Sequence, residues 1–184
     1  MGKQTLVKTI ERSVLKKYIG TFLVMLIAAN VEAQTCVDNV EQTTPTVRFS
    51  VNSDGTVKDN QTGLIWMRCV LGQVWNGSSC DGNASFLNWQ DSLSQAENLV
   101  FSGKNDWRLP NIKELTSIVE FSCYKPAINL TVFSSGQIDS NYWSATTVYS
   151  FVFPAAWIVS VESGRPNEWL KDYEAMVRLV RFDD

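Results

Sequence analysis

Cys36, Cys69, Cys80 and Cys123 are the most reactive side chains in this sequence, and their spacing decides which chemistry they serve. A zinc site or a dithiol redox centre is built from close pairs such as Cys-x-x-Cys, and no such pair is present. An even count in a chain with an export leader reads instead as two disulfides. Of the three connectivities, Cys69–Cys80 with Cys36–Cys123 is favoured, because the first link closes a short loop rich in Gly, Asn and Ser (Gly72, Asn76, Gly77, Ser78, Ser79). In the chain-entropy view that closure contributes ~3 kcal/mol, and the longer-range link somewhat more.

Other chemistry narrows quickly. The chain has no histidine, which removes the commonest general base, a favoured metal ligand and the centre of a nucleophilic triad. No glycine-rich phosphate loop is present. Glu114 and Glu120 are one conceivable carboxylate pair, but Glu114 stands where a helix cap needs it. Asn52, Asp54 and Asp59 invite a calcium-loop reading. An EF-hand loop requires a Glu at its twelfth position, and counting from Asn52 that position is Gly63. The expectation is a non-catalytic protein without cofactor or metal. Its seven Trp, with Asn, Ser and Tyr in loops, suit sugar or protein surfaces, where ring faces stack and polar groups orient. Trp66, Trp89, Trp107 and Trp143 lie in apolar patterns and are expected in the core. Asn167, Trp169 and Tyr173 lie among polar residues after the Gly164 turn, so they are the candidate ligand contacts.

These residues belong to a domain preceded by a leader. Residues 1 to 17 are polar and basic (Lys3, Lys8, Arg12, Lys16, Lys17), and an apolar run follows from Tyr18 to Ala29. Val31-Glu32-Ala33 then places small residues before Gln34, completing the layout of a signal peptide over residues 1 to 33. The apolar run is shorter than the ~20 residues that a membrane span needs. Cys36 follows Gln34-Thr35 rather than the small residues used for lipid attachment. Residues 34 to 184 are then one exported domain, periplasmic or secreted to the cell surface. The leader holds five of the sixteen basic and two of the nineteen acidic residues, so the remainder carries a net charge of −6. Such a surface repels nucleic acid, anionic lipid and polyanions.

The elements follow from patterning. Val47, Phe49 and Val51 alternate with polar residues as a half-buried strand, turned at Asn52 to Gly55 into a hairpin with Thr56-Val57-Lys58. Leu64 to Met67 is continuously apolar, as in a central strand. Asn88 caps a helix carrying Trp89, Leu93, Ala96 and Val100 on one face. The stretch Asp106 to Leu115 organises the rest. Pro110 keeps Trp107-Arg108-Leu109 extended, and Asn111 with Glu114 three residues later forms a capping box. The helix it starts is expected to run to about Phe121, with Ile112, Leu115, Ile118 and Val119 inward. Tyr142 to Thr146, Ala156 to Val161 and Ala175 to Val180 read as late strands, the last able to pair with the first. The result is α+β, with two helices packed on mainly antiparallel strands.

The same stretch, Asp106-Trp107-Arg108-Leu109-Pro110-Asn111-Ile112-Lys113-Glu114-Leu115, resembles the signature of the Lcl C-terminal domain family. These bacterial domains of largely unknown function are named after the last domain of a Legionella collagen-like adhesin. Asp54 to Asp59, Thr62 to Trp66, Pro126 to Asn129, Tyr142-Trp143-Ser144 and Val177 to Arg181 extend the resemblance over roughly residues 36 to 182. The Arg-Leu-Pro turn and terminal Val-Arg are more distantly similar to formylglycine-generating enzymes, which implies a C-type-lectin-like fold. The cysteine active site of those enzymes has no counterpart here. The calcium-binding motifs of C-type lectins are matched by neither Arg165-Pro166-Asn167 nor Asn105-Asp106-Trp107. The family resemblance implies adhesion through a glycan or an extracellular protein. The alternative is a structural or protein-binding subunit of an envelope assembly.

Overall fold

The structure is a computed structural model that describes residues 33–134, 140–149 and 153–183. The expected leader, residues 1 to 33, lies outside these except for Ala33. Two sheets carry the fold. The first has four strands in the order β13-β4-β3-β2, from Val180–Phe182 (β13), Leu64–Met67 (β4), Thr56–Asp59 (β3) and Phe49–Val51 (β2). The second has five in the order β11-β10-β9-β12-β7, from Pro166–Leu170 (β11), Ala155–Ser160 (β10), Asn141–Val148 (β9), Ala175–Met176 (β12) and Phe86–Leu87 (β7). Two small ribbons complete it: Thr35–Cys36 (β1) with Cys123–Tyr124 (β8), and Val74–Trp75 (β5) with Cys80–Asp81 (β6). Pairing is antiparallel except where β12 runs parallel to β9. The helices are Trp89–Glu97 (α1) and Ile112–Ser117 (α2). The expected α+β class, with two helices on mostly antiparallel strands, holds.

The patterning placed several elements correctly and four details differently. The first hairpin forms, with Phe49 opposite Asp59 and Val51 opposite Val57. Val47 is not in its strand: Pro45 opens a single 3-10 turn over Thr46–Arg48, which leaves Val47 exposed. Helix α1 ends at Glu97 and Val100 is exposed, because the chain tightens there, Asn98 N–H bonding to Ser94 O and Leu99 N–H to Ala96 O (3.3 Å each). Helix α2 stops at Ser117 rather than near Phe121. Beyond it Glu120 N–H bonds to Ala127 O (3.1 Å), and the chain turns to reach β8.

The largest difference lies at the C-terminus. Ala175 to Val180 is not one strand and does not pair with the first. Met176 sits beside Tyr142 in the five-stranded sheet, and Val180 pairs with Trp66 in the four-stranded one. Between them Val177 O accepts from Leu71 N–H (2.9 Å) and Leu179 O from Met67 N–H (3.1 Å). The cause is Arg178, which is fully buried. Its guanidinium donates to Met67 O (2.8 Å), Arg68 O and the Tyr142 hydroxyl (3.2 Å), and lies 5.0 Å from the Phe133 ring centre. A buried guanidinium needs such acceptors, and turning it toward the β4 carbonyls moves the backbone from one sheet to the other.

The Asp106 to Leu115 stretch also joins the two sheets. Arg108 and Val180 exchange backbone hydrogen bonds of 3.0 Å each. Pro110 O accepts from Ala145 N–H (2.8 Å), and Ile112 N–H donates to Thr146 Oγ1 (2.9 Å). Asn111 and Glu114 make the expected capping box, and Glu114 also holds Arg108 with two bonds of 2.8 Å. Trp107, Leu109 and Leu115 are all buried. Leu115 and Ile118 join Trp66, Val132, Phe133 and Val180 in one core, while Trp107 and Leu109 join Trp143, Ile158 and Leu179 in the other.

Candidate functional site

Strand β11 is an edge of the five-stranded sheet, paired with β10 alone, and its residues Glu168, Trp169 and Leu170 line a cleft. The edge exists because the chain reverses at Gly164 (φ +70°), where a side chain would be strained and would collide with Val119. Ser160 N–H then bonds to Arg165 O (3.0 Å), and β11 runs back with Trp169 opposite Ala156 and Leu170 opposite Ala155. After Leu170 the chain turns again, Tyr173 N–H donating to Leu170 O (3.0 Å), which returns Tyr173 beside Trp169.

The cleft is lined by Phe153, Ala155, Glu168, Trp169, Leu170 and Tyr173 and encloses about 340 Å³. Successive strand side chains alternate faces, so Glu168 and Leu170 belong to one face of β11 and Trp169 to the other. The cleft therefore wraps the strand edge. The Trp169 and Tyr173 rings meet edge-to-face, with centres 5.3 Å apart at 67°. Phe153 and Tyr173 are 61% and 51% exposed, so aromatic surface is available to a ligand. Trp169 is half-buried against the core that contains Trp143 and Ile158. Its indole N–H is buried with no acceptor among the described residues.

The structure thus brings together two of the three expected contact residues. Trp169 and Tyr173 share a cleft wall. Asn167, opposite Ile158, is exposed but does not line the cleft. Sequence reading missed Phe153 and Glu168. Phe153 precedes β10 and reaches the cleft only because β10 pairs with β11. Glu168 lies in β11, a strand that the patterning did not mark between the Gly164 turn and Ala175. The four Trp expected in the core are there in different degrees: Trp66, Trp107 and Trp143 are buried, and Trp89 is half-buried with its N–H on Ser144 O (2.9 Å).

The other polar clusters are committed to the fold. Asp54 accepts from Thr56 N–H (3.0 Å), Thr56 Oγ1 (2.7 Å) and Ser102 Oγ. Asp59 is buried against the Arg48 guanidinium and accepts from Thr62 Oγ1 (2.7 Å). The two carboxylates of the calcium-loop reading therefore face different partners. Glu120 is buried and accepts from Thr44 N–H and Oγ1 (2.8 Å each), Ser122 N–H (3.0 Å) and Ser122 Oγ (2.6 Å). Burial alone would raise its pKa. The donors, Ser122 first and then Thr44, outweigh it and lower the carboxyl to about 2. Glu114 is likewise lowered, burial opposing and Arg108 with the Asn111 N–H prevailing. Ser122 and Lys125 do have the Ser-x-x-Lys spacing of a serine nucleophile, which corrects the sequence reading that no such motif is present. Ser122 instead donates to Glu120, and Lys125 lies 3.9 Å from Glu162.

Both disulfides form as expected. Cys36–Cys123 links directly opposed residues of β1 and β8, and Cys69–Cys80 closes the loop that carries β5. Fold and cleft together define a small, disulfide-stapled α+β domain with an aromatic-lined cleft at a sheet edge. The family model of the Lcl C-terminal domain matches residues 55–181, and the chain belongs to that family. No curated protein matches it.

Proposed function

We propose that this chain is an exported, non-catalytic binding module of the adhesin-associated kind, and that it holds a carbohydrate in the cleft along β11. The observation that carries the reading is the exposed aromatic pair of Tyr173 and Phe153 beside Trp169. Sugar rings present apolar C–H faces that stack on such surfaces, while hydroxyls bond to the polar groups around them. Family membership supports the adhesin association. Two disulfides support an oxidising compartment outside the cytoplasm, and no described helix is long and apolar enough to cross a membrane.

A glycan array probed with the wild-type protein and with Tyr173→Ala tests it. The expected result is a restricted set of glycans bound by the wild type and lost in the variant. Binding unaffected by Tyr173→Ala moves the site elsewhere. An array without hits, beside specific capture of an envelope protein, replaces the carbohydrate reading with that of a structural or protein-binding subunit.

A further inference from the structure

We propose that the β11 cleft selects glycans bearing a free, protonated amine, of the unacetylated glucosamine type, over neutral or sulphated ones. This rests on the carbohydrate reading above and adds the charge of the ligand to it. The argument starts from Glu168, which lines the cleft yet makes no ion pair among the described residues. Asp172 and Glu174 flank Tyr173 in sequence and are also exposed and without an ion pair among them. Lys171 does not neutralise this group, since its ammonium is drawn onto the Trp89 ring, 3.9 Å from the ring centre. Arg165 stands at the far end of β11, before Pro166. The cleft thus combines aromatic surface with local negative charge, on a chain that is acidic after residue 33.

Each part of an amino sugar meets a complement there. Its C–H face stacks on the ring of Tyr173 or Phe153, and its ammonium donates to the Glu168 carboxylate in a charge-assisted bond. The ring quadrupole of the aromatic walls also favours a cation. A sulphate or uronate placed in the same cleft would face Glu168 with like charge and no cation to answer it. An N-acetyl group loses the positive charge and leaves Glu168 to water.

The test is titration calorimetry of the oxidised protein with a glucosamine tetrasaccharide, its N-acetylated counterpart, heparin and tetralysine, at low and at physiological salt. The expected result is that the free-amine tetrasaccharide binds about tenfold or more tightly than the acetylated one, with a preference that shrinks as salt rises. Glu168→Gln should remove the preference while keeping the weaker affinity for the acetylated sugar. Tyr173→Ala should weaken both sugars, and thermal melts should confirm that both variants fold. Equal affinity for the two tetrasaccharides with no effect of Glu168→Gln overturns the charge selection but leaves the carbohydrate reading standing. Tighter binding of heparin does the same. Tetralysine binding as tightly as the amino sugar reduces the effect to general acidity and overturns the proposal. No binding of any saccharide here or on an array overturns both readings together.

Discussion

Among single residues, Glu120 makes the clearest energetic statement. Its carboxylate gathers amide and hydroxyl donors from Thr43, Thr44 and Ser122, tying the segment before β2 to the corner that follows α2. Its folded pKa, about 2, lies below the ordinary 4.5, so its stabilisation is fully present above pH 4.5 and is lost as pH falls toward 2. A shift of that size corresponds to roughly 3 kcal/mol. Asp54, Asp59 and Glu114 are lowered too and act in the same direction. Denaturant unfolding from pH 7 to pH 2 should therefore show falling stability below about pH 4.5, with a shallower fall in Glu120→Gln. An equal slope in both proteins would mean that Glu120 is not the titrating group. Tyr173 and Trp169 form an instructive pair at the same scale. Tyr173 is exposed, so Tyr173→Ala should leave stability within about 0.5 kcal/mol. Trp169 packs against the core, so Trp169→Ala should cost stability as well as binding, and only Tyr173 cleanly separates the two.

At the level of elements, the capped turn from Trp107 to Leu115 is scaffold. Trp107 is buried with its N–H on Phe101 O (3.0 Å), and Trp107→Ala should cost about 3–5 kcal/mol as a large buried truncation. Asn111→Ala should cost about 1 kcal/mol, the usual loss for an N-cap whose side chain bonds two amides. Chemical denaturation measures both. A Trp107→Ala protein of unchanged stability that no longer binds ligand would turn this stretch from scaffold into site. Gly164 is the other sensitive element boundary. Gly164→Ala meets positive φ and the Val119 side chain together, so it should destabilise by more than ~1 kcal/mol, and should weaken ligand binding through displacement of β11. Melting temperature beside calorimetric affinity reads both effects.

For the whole molecule, the two sheets are held in register by chain segments that serve both. The terminal run passes from β12 to β13 around Arg178, and the Pro110 turn bonds to each sheet. The two cores therefore share their walls, and unfolding should be a single cooperative transition in the oxidised protein. The disulfides belong to this scale. Peptide mapping without reductant should recover the Cys36–Cys123 and Cys69–Cys80 peptides and no free thiol. Amino-terminal sequencing of the exported protein should begin at Gln34. A species that retains Lys3 to Ala33 and sediments with the inner membrane would contradict export by cleavage.

What the sequence determined by itself were features whose causes lie within a few residues. The Asn111–Glu114 capping box, the Asn88 cap, the extended residues before Pro110 and the Asn52 to Gly55 hairpin turn depend on local backbone and side-chain bonding. The burial of Leu64 to Met67 and the closure of the Cys69–Cys80 loop were legible for the same reason. Tertiary structure decided what depended on distant partners. Arg178 reads as one residue of a strand until the β4 carbonyls and Tyr142 show why the strand must break there. Phe153 and Glu168 acquire meaning only when β10 and β11 pair and Tyr173 folds back on Trp169. Asn167 shares a face of β11 with Trp169 but lies two residues nearer the Pro166 end, outside a cleft built around Glu168 to Leu170 and Tyr173. A cleft is a relation among residues far apart in the chain, and local pattern can name its members singly without showing which of them meet.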